Sequence, residues 1–212
     1  LLVAAGWYAT MLALILLFRF VDPPGSALMV IRWLSGEQIE QTWVPLDKVA
    51  PIMRRAVVTS EDTKFCQHWG FDLGEIRAAM SDGEGFGRGA STLSMQVAKN
   101  MFLWPDRSYM RKALEVPLTL TIEAVWPKRR IFEIYMNIAE WGPGLFGIEA
   151  ASRVYFGKPA ARLGEREAAL LAVALPNPIA RDASDPEPKQ ARLATRLQAR
   201  MKNEASFPCV LP

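Results

Sequence analysis

Between Glu61 and Asp72 the chain reads EDTKFCQHWGFD. Two adjacent acids, the only histidine of the chain, aromatic residues and a glycine share this one stretch. A solvated loop has no need of so many aromatics, and a core helix does not set Glu and Asp side by side. The pattern predicts a carboxylate held against apolar surface. Loss of water there favours the neutral acid, raises its pKa and suits it to general acid or base work. A capped turn joining two helices would use the same residue types, so the segment alone leaves both readings open.

Two further stretches carry chemistry. RGASTLSMQVAKN, from Arg88 to Asn100, supplies the hydroxyls of Ser91 and Thr92, the amide of Gln96, and Lys99. RSYMRKALE, from Arg107 to Glu115, supplies the cations Arg107, Arg111 and Lys112 ahead of a carboxylate. Alone, such cations read as a solvated helix face. Together with a hydroxyl-rich helix start and Lys99 they read as a grip on phosphate, because backbone N–H groups and fixed positive charge both favour anions.

The elements that must position these groups are mostly helical. Val49, Ile52, Met53, Ala56 and Val57 recur at three and four residues, predicting a helix from Asp47, its expected cap, to about Ser60. That helix would deliver Glu61 at its C-terminal edge. A second helix starts at Ser91-Thr92, with Leu93, Val97 and Met101 on one face and Gln96, Lys99 and Asn100 on another. A third starts near Ser108, with Met110, Leu114, Leu118, Ile122 and Val125 inward, Arg111 one turn before Glu115, and Pro117 expected to kink or break it. Further helices are expected at 128–140, at 148–156 closed by Gly157, at 165–175 and at 188–202. In the last, Arg192, Arg196 and Arg200 read as a solvated stripe. The stretch 73–88, ending in the glycine-rich DGEGFGR, reads as a flap or a plain linker, and 27–44 as a short hairpin around Ser35-Gly36. The fold class is mainly α with at most a small β element.

At 212 residues the chain has length for one domain with a real core. A net charge of +3 fits a surface near anionic lipid or a phosphate-bearing substrate without establishing either. No basic block with interleaved aromatics points to nucleic acid. Cys66 and Cys209 have no metal-ligand spacing and neither demand nor exclude an oxidising compartment. LLVAAGWYATMLALILLF, Leu1 to Phe18, carries no charge and predicts a transmembrane helix, followed by a stiff VDPPGS exit. A cleaved signal peptide would carry a small-residue cleavage pattern that is absent here. Met101 to Trp104, apolar and directly after Lys99, read either as core or as a surface that dips into a membrane leaflet. Two carboxylates and a phosphate grip behind an anchor point to transfer of a group away from a lipid-linked phosphate or pyrophosphate.

In order, EDTKFCQHWGFD, RGASTLSMQVAKN, RKALE, KRRIFEIYMN and AEWGPGLFGIEAASRVYFGK resemble the motif set of the peptidoglycan glycosyltransferases, glycosyltransferase family 51. The resemblance runs from about Val44 to Pro178 and lies closest to the monofunctional members, as expected where no transpeptidase domain follows. It implies a lysozyme-like, mainly helical domain that polymerises lipid II at the outer face of the bacterial inner membrane, single-pass, with its catalytic domain on the periplasmic side. Expected boundaries are an anchor at 1–20, a linker and membrane-proximal segment at 21–46, the catalytic domain at 47–205 and a tail at 206–212.

The same resemblance implies residue roles. Glu61 would be the general base on the acceptor hydroxyl and Glu115 would assist the departing pyrophosphate, with Mg²⁺ as the implied cofactor at Glu115. Lys99 and Arg107 would hold the donor pyrophosphate. Ser91, Thr92, Gln96, Asn100, Arg111 and Lys112 would line the donor side. Asp62, Phe65, His68 and Arg88 complete the expected substrate-binding set, His68 mainly by ordering the Glu61 loop. Glu133, Tyr135 and Asn137 read as structural support. Implied partners are lipid II, the growing lipid-linked strand, the membrane, and cell division or elongation proteins. Met95 departs from the family pattern, which often has a second glutamine there. A glycan hydrolase on the same scaffold, or a non-catalytic membrane-bound scaffold, are the competing classes. The first would have no use for Lys99 and Arg107, and the second no use for Glu61 and Glu115.

Overall fold

Apolar residues at helical spacing and hydroxyl caps set the helix starts of this chain. The computed structural model describes residues 2–81, 91–106, 108–203 and 207–211. Ser26 accepts from Met29 N–H and opens α2 (Ala27–Leu34), Thr92 accepts from Met95 N–H and opens α5 (Leu93–Phe102), and Ser108 accepts from Arg111 N–H and opens α6 (Tyr109–Val125). Each cap satisfies an N–H that the first turn leaves orphaned. The other helices are α1 (Leu2–Phe18), α3 (Pro51–Glu61), α4 (Leu73–Ser81), α7 (Lys128–Ile138), α8 (Ile148–Phe156), α9 (Glu165–Ala174) and α10 (Pro188–Asn203). A small sheet of β1 (Glu40–Gln41), β2 (Glu140–Gly142) and β3 (Leu145–Phe146) has the order β1-β3-β2. β1 runs parallel to β3, pairing Glu40 with Leu145, and β2 runs antiparallel to it. The mainly helical class, with this small sheet, is as expected.

The core lies where α3 packs on α9 and α10, and α5 on α6 and α7. Val57, Val97, Phe132, Ile134 and Leu171 are fully buried in it. α9 is buried over Ala168–Ala174, which explains a segment apolar on every side. Asn137 ties the sheet to this core, its amide accepting from Val44 N–H at 2.8 Å and donating to Val44 O at 2.9 Å.

Several expectations change. The segment 27–34 is helix, not half a hairpin, because Ser26 caps it and Leu28 and Met29 find the core. Asp47 lies in a 3-10 turn (Leu46–Lys48), and α3 begins at Pro51, whose missing N–H suits a first helical turn. α6 runs unbroken through Pro117, and Met110 is exposed rather than inward. α4 makes the first part of the expected flap helical, while its glycine-rich remainder lies outside the described residues. Within the expected tail, Phe207 and Val210 are buried core residues. Cys209 beside them forms a disulfide with Cys66, a pairing that composition could not assign.

α1 lies along α6. Trp126 donates its indole N–H to Ile15 O at 2.7 Å, Arg19 donates to Val125 O at 2.7 Å, and Arg130 donates to Phe18 O at 3.0 Å. Among the described residues no helix is long and apolar enough to cross a membrane. α1 has 17 residues, whereas residues such as Leu2, Val3 and Phe20 along and just beyond it are exposed.

Candidate active site

Glu61 is the last residue of α3, and its side chain is half-buried at the head of a cleft. Its carboxylate accepts from Gln96 Nε2 at 3.1 Å and from Ser60 Oγ at 3.2 Å. Gln96 is oriented in turn by Tyr135, whose hydroxyl donates to Gln96 Oε1 at 3.3 Å. Burial pushes the Glu61 carboxyl above its ordinary range, and the Asp62 charge adds to this. Hydrogen bonds from Gln96 and Ser60 and the nearby Arg181 guanidinium oppose the shift without cancelling it. Tyr135 is pushed well above an ordinary phenol by burial and by the Glu61 charge, so it stays protonated and donating.

The cleft has a volume of about 220 Å³ and is lined by residues 59–63, Asp72, Glu75, Ser91, Thr92 and Arg200. It holds a second carboxylate of opposite character. Burial works to raise Asp72, but the Lys64 ammonium at 2.9 Å and the N–H groups of Glu75 and Gly74 outweigh it and hold the carboxyl below its usual range. Two carboxyl groups whose surroundings push them apart can divide their duties, and the one with the raised pKa is the candidate for proton transfer near neutral pH.

The loop after Glu61 is pinned to the start of α5. Asp62 accepts from Leu93 N–H at 2.9 Å and lies 3.0 Å from His68 Nε2. Thr92 Oγ1 donates to Gly70 O at 2.6 Å. Phe65 is fully buried against Phe132, with Lys128 Nζ 4.5 Å from its ring centroid. Asp62 lines the cleft and ties its loop to α5, while Phe65 and His68 pack behind it and are not among the lining residues.

The cation-bearing flank is built on α5 and α6. Glu115 is buried, with one oxygen on the Arg111 guanidinium and the other 2.7 Å from Lys112 Nζ. Arg111 is itself oriented by Asp106 O at 2.7 Å. Lys99 lies one turn beyond Gln96 on α5 and is half-buried, and Asn100 is buried. Arg88 and Arg107, expected here too, lie outside the described residues. As a metal ligand Glu115 does not fit as it stands, since both its oxygens already face cations. Among the described residues no group of three His, Cys, Asp or Glu could hold a metal ion.

Residues 28–203 match the Transglycosylase family model. A Biosynthetic peptidoglycan transglycosylase of Rhodospirillum centenum is 56% identical over 179 residues, 83% of this chain and 78% of its own length. That of Nitrobacter winogradskyi is 51% identical over 185 residues, 86% and 82% of the two chains, and that of Pseudomonas fluorescens (strain Pf0-1) 48% over 204, 92% and 85%. The chain belongs to the biosynthetic peptidoglycan transglycosylase family. In this transglycosylase Glu133 accepts from Leu46 N–H at 2.9 Å and Asn137 bridges to Val44, so this motif braces the scaffold as expected. Arg200 departs from expectation. It stays exposed like Arg192 and Arg196, yet its guanidinium also donates to Thr59 O at 2.7 Å at the cleft wall. Arg181, held by Val173 O at 2.6 Å and acting on Glu61 through its charge, is a further group that sequence does not single out, because neither arginine carries a local signal of which way it points.

Proposed function

We propose that this transglycosylase polymerises lipid II into glycan strands for the bacterial cell wall. The observation that carries the reading is the pair of glutamates in opposed settings: Glu61 with a raised pKa at an open polar cleft, Glu115 locked between two cations. In this reading Glu61 takes the proton from the 4-hydroxyl of the acceptor N-acetylglucosamine. The freed oxygen attacks the anomeric carbon of the donor N-acetylmuramic acid, and the α-linked undecaprenyl pyrophosphate departs from the opposite face. Inversion leaves a β-1,4 bond. Gln96 and Ser60 hold the Glu61 carboxylate in place, and Tyr135 holds Gln96.

Negative charge develops on the departing pyrophosphate, and fixed cations stabilise it without reorganising. Lys99, Arg111, Lys112 and Arg107 fill that part, with Glu115 fixing the rotamers of Arg111 and Lys112. A divalent cation such as Mg²⁺ would add charge neutralisation at the departing pyrophosphate, and no step here is routed through it.

The membrane belongs to the same proposal. An apolar groove of about 820 Å³ runs between α1, α2, the end of α5 and α6, lined by Trp7, Val30, Ile31, Phe102, Trp104 and Leu114. Met101 and Leu103 beside them are core. α1, at about 1.5 Å per residue against about 30 Å of hydrocarbon, seats in the bilayer with its flanks in our reading. The disulfide supports a catalytic domain on the oxidising, periplasmic side of the inner membrane. Division or elongation proteins would recruit the enzyme there.

The test is polymerisation of labelled lipid II in detergent and Mg²⁺, beside Glu61→Gln and Glu115→Gln. Strands from the wild type and none from either folded variant support the reading. No polymer from well-folded wild type overturns it and turns attention to hydrolysis of finished glycan.

A further inference from the structure

The covalent link between Cys66 and Cys209 joins the edge of the active site to a segment 143 residues away. Cys66 stands five residues after Glu61, in a run of tight turns held by Phe65 N–H to Asp62 O at 3.0 Å and Gln67 N–H to Lys64 O at 2.7 Å. Asp62 and Gly70 tie the two ends of this run to the start of α5, and the disulfide holds its middle from the other side. At the other end, Phe207 and Val210 are buried, and Val210 O accepts from Arg54 Nη1 at 2.9 Å. Arg54 lies on α3, whose last residue is Glu61. The segment 207–211 is therefore a strap tied to α3 through Arg54, and held besides by apolar burial and by the disulfide. Both cysteines are only half-buried, within reach of a small thiol.

We propose that the Cys66–Cys209 bond is a redox-sensitive clamp that positions the Glu61 loop, making the site competent only where the bond stays oxidised. This rests on the catalytic role given to Glu61 above. A dithiol reductant would open the clamp. It supplies two electrons and two protons, leaves thiols on Cys66 and Cys209, and closes its own disulfide. The strap then keeps its apolar anchor and the Arg54 contact, but the loop loses its outer hold. Water gains access to Glu61, while of the groups facing it Tyr135, Arg181, Glu75 and Arg200 stay on segments the clamp does not carry, and Asp62 and Asp72, the latter held by Lys64 at 2.9 Å, belong to the clamped loop.

Two measurements on the full chain test this, with oxidised wild type, wild type treated with dithiothreitol, and Cys66→Ser/Cys209→Ser. Amide exchange over 61–71 needs no substrate. It should speed up at least tenfold on reduction while α5 and α7 keep their protection. Polymerisation should fall tenfold or more, recover on reoxidation, and be unresponsive to dithiothreitol in the double variant. The acidic limb of the residual rate should move to lower pH, as a less buried carboxyl requires. Unchanged exchange at 61–71 overturns the clamp. So does reduced protein that keeps full rate and the same pH limb, or loss of rate that only tracks global unfolding. If oxidised protein makes no polymer while the exchange result holds, the functional reading fails and the clamp stands as a conformational device.

Discussion

Gln96→Leu isolates the hydrogen bond that holds the Glu61 carboxylate ionised. Gln96 Nε2 donates to Glu61 Oε2 at 3.1 Å, and this is the largest of the influences that lower the Glu61 pKa against the pull of burial. Leucine is near in volume and donates nothing. A general base works only when deprotonated, so the rate rises as pH passes up through its pKa. Removing the donor raises that pKa further, and the acidic limb of kcat/KM must move to higher pH. A hydrogen bond to a charged group contributes about 1.5–3 kcal/mol, so the rate below the limb should fall roughly tenfold to a hundredfold, with much of it recovered in alkali. The same substitution strands the Tyr135 hydroxyl, which loses its acceptor at 3.3 Å. A buried unsatisfied hydroxyl costs about 1–3 kcal/mol of stability. Gln96→Leu/Tyr135→Phe removes both partners and should regain that stability while keeping the displaced limb. The assay is lipid II polymerisation across pH beside thermal unfolding in the same detergent. An acidic limb that stays put or moves to lower pH in Gln96→Leu would refute the assignment of Glu61 as the base.

The two glutamates should answer oppositely to neutralisation. Glu61 has a raised folded pKa, so its contribution to stability is fully present below the unfolded pKa and is lost as pH rises through the folded one. Glu61→Gln should therefore abolish polymerisation yet raise stability at pH 8 by about 1 kcal/mol, or about 2–4 °C in thermal unfolding. Glu115→Gln removes the counter-charge of Arg111 and Lys112 and should lose activity with a stability loss of about 1–3 kcal/mol, read by the same melts. Gly70 has φ +85°, and a Cβ there would lie 3.0 Å from Thr119 Cγ2, so Gly70→Ala should destabilise by roughly 1–3 kcal/mol in denaturant titration.

Residue type and spacing determined much of this protein by themselves. α5, α6 and α8 start or stop where Thr92, Ser108 and Gly157 require, because capping and a left-handed glycine are local events. Glu61 at the end of a helix, Arg111 one turn before Glu115, and the buried frame of Tyr135 and Asn137 follow from periodicity of 3.6 and from the ordered motifs. Helix 27–34 is not legible in the same way, since its eight residues are apolar except for Arg32 and such a short run suits a strand as well as a helix, and the packing of Leu28 and Met29 decides it. Phe65 and His68 share a segment with Glu61, yet only the fold turns their side chains inward, away from the cleft lining, while Glu61 opens to it. Arg200 is one of three arginines at equal spacing on α10. Its reach to Thr59 O depends on how α10 crosses α3, a contact between residues 141 apart in sequence. Pairing of Cys66 with Cys209 is likewise a matter of proximity, since neither residue carries a local signal for the other. What the chain determines alone is local: caps, periods, and which side chains have chemistry to offer. Which of them meet, and which carboxyl loses enough water to become a base, is settled only by packing, because desolvation and charge act through space.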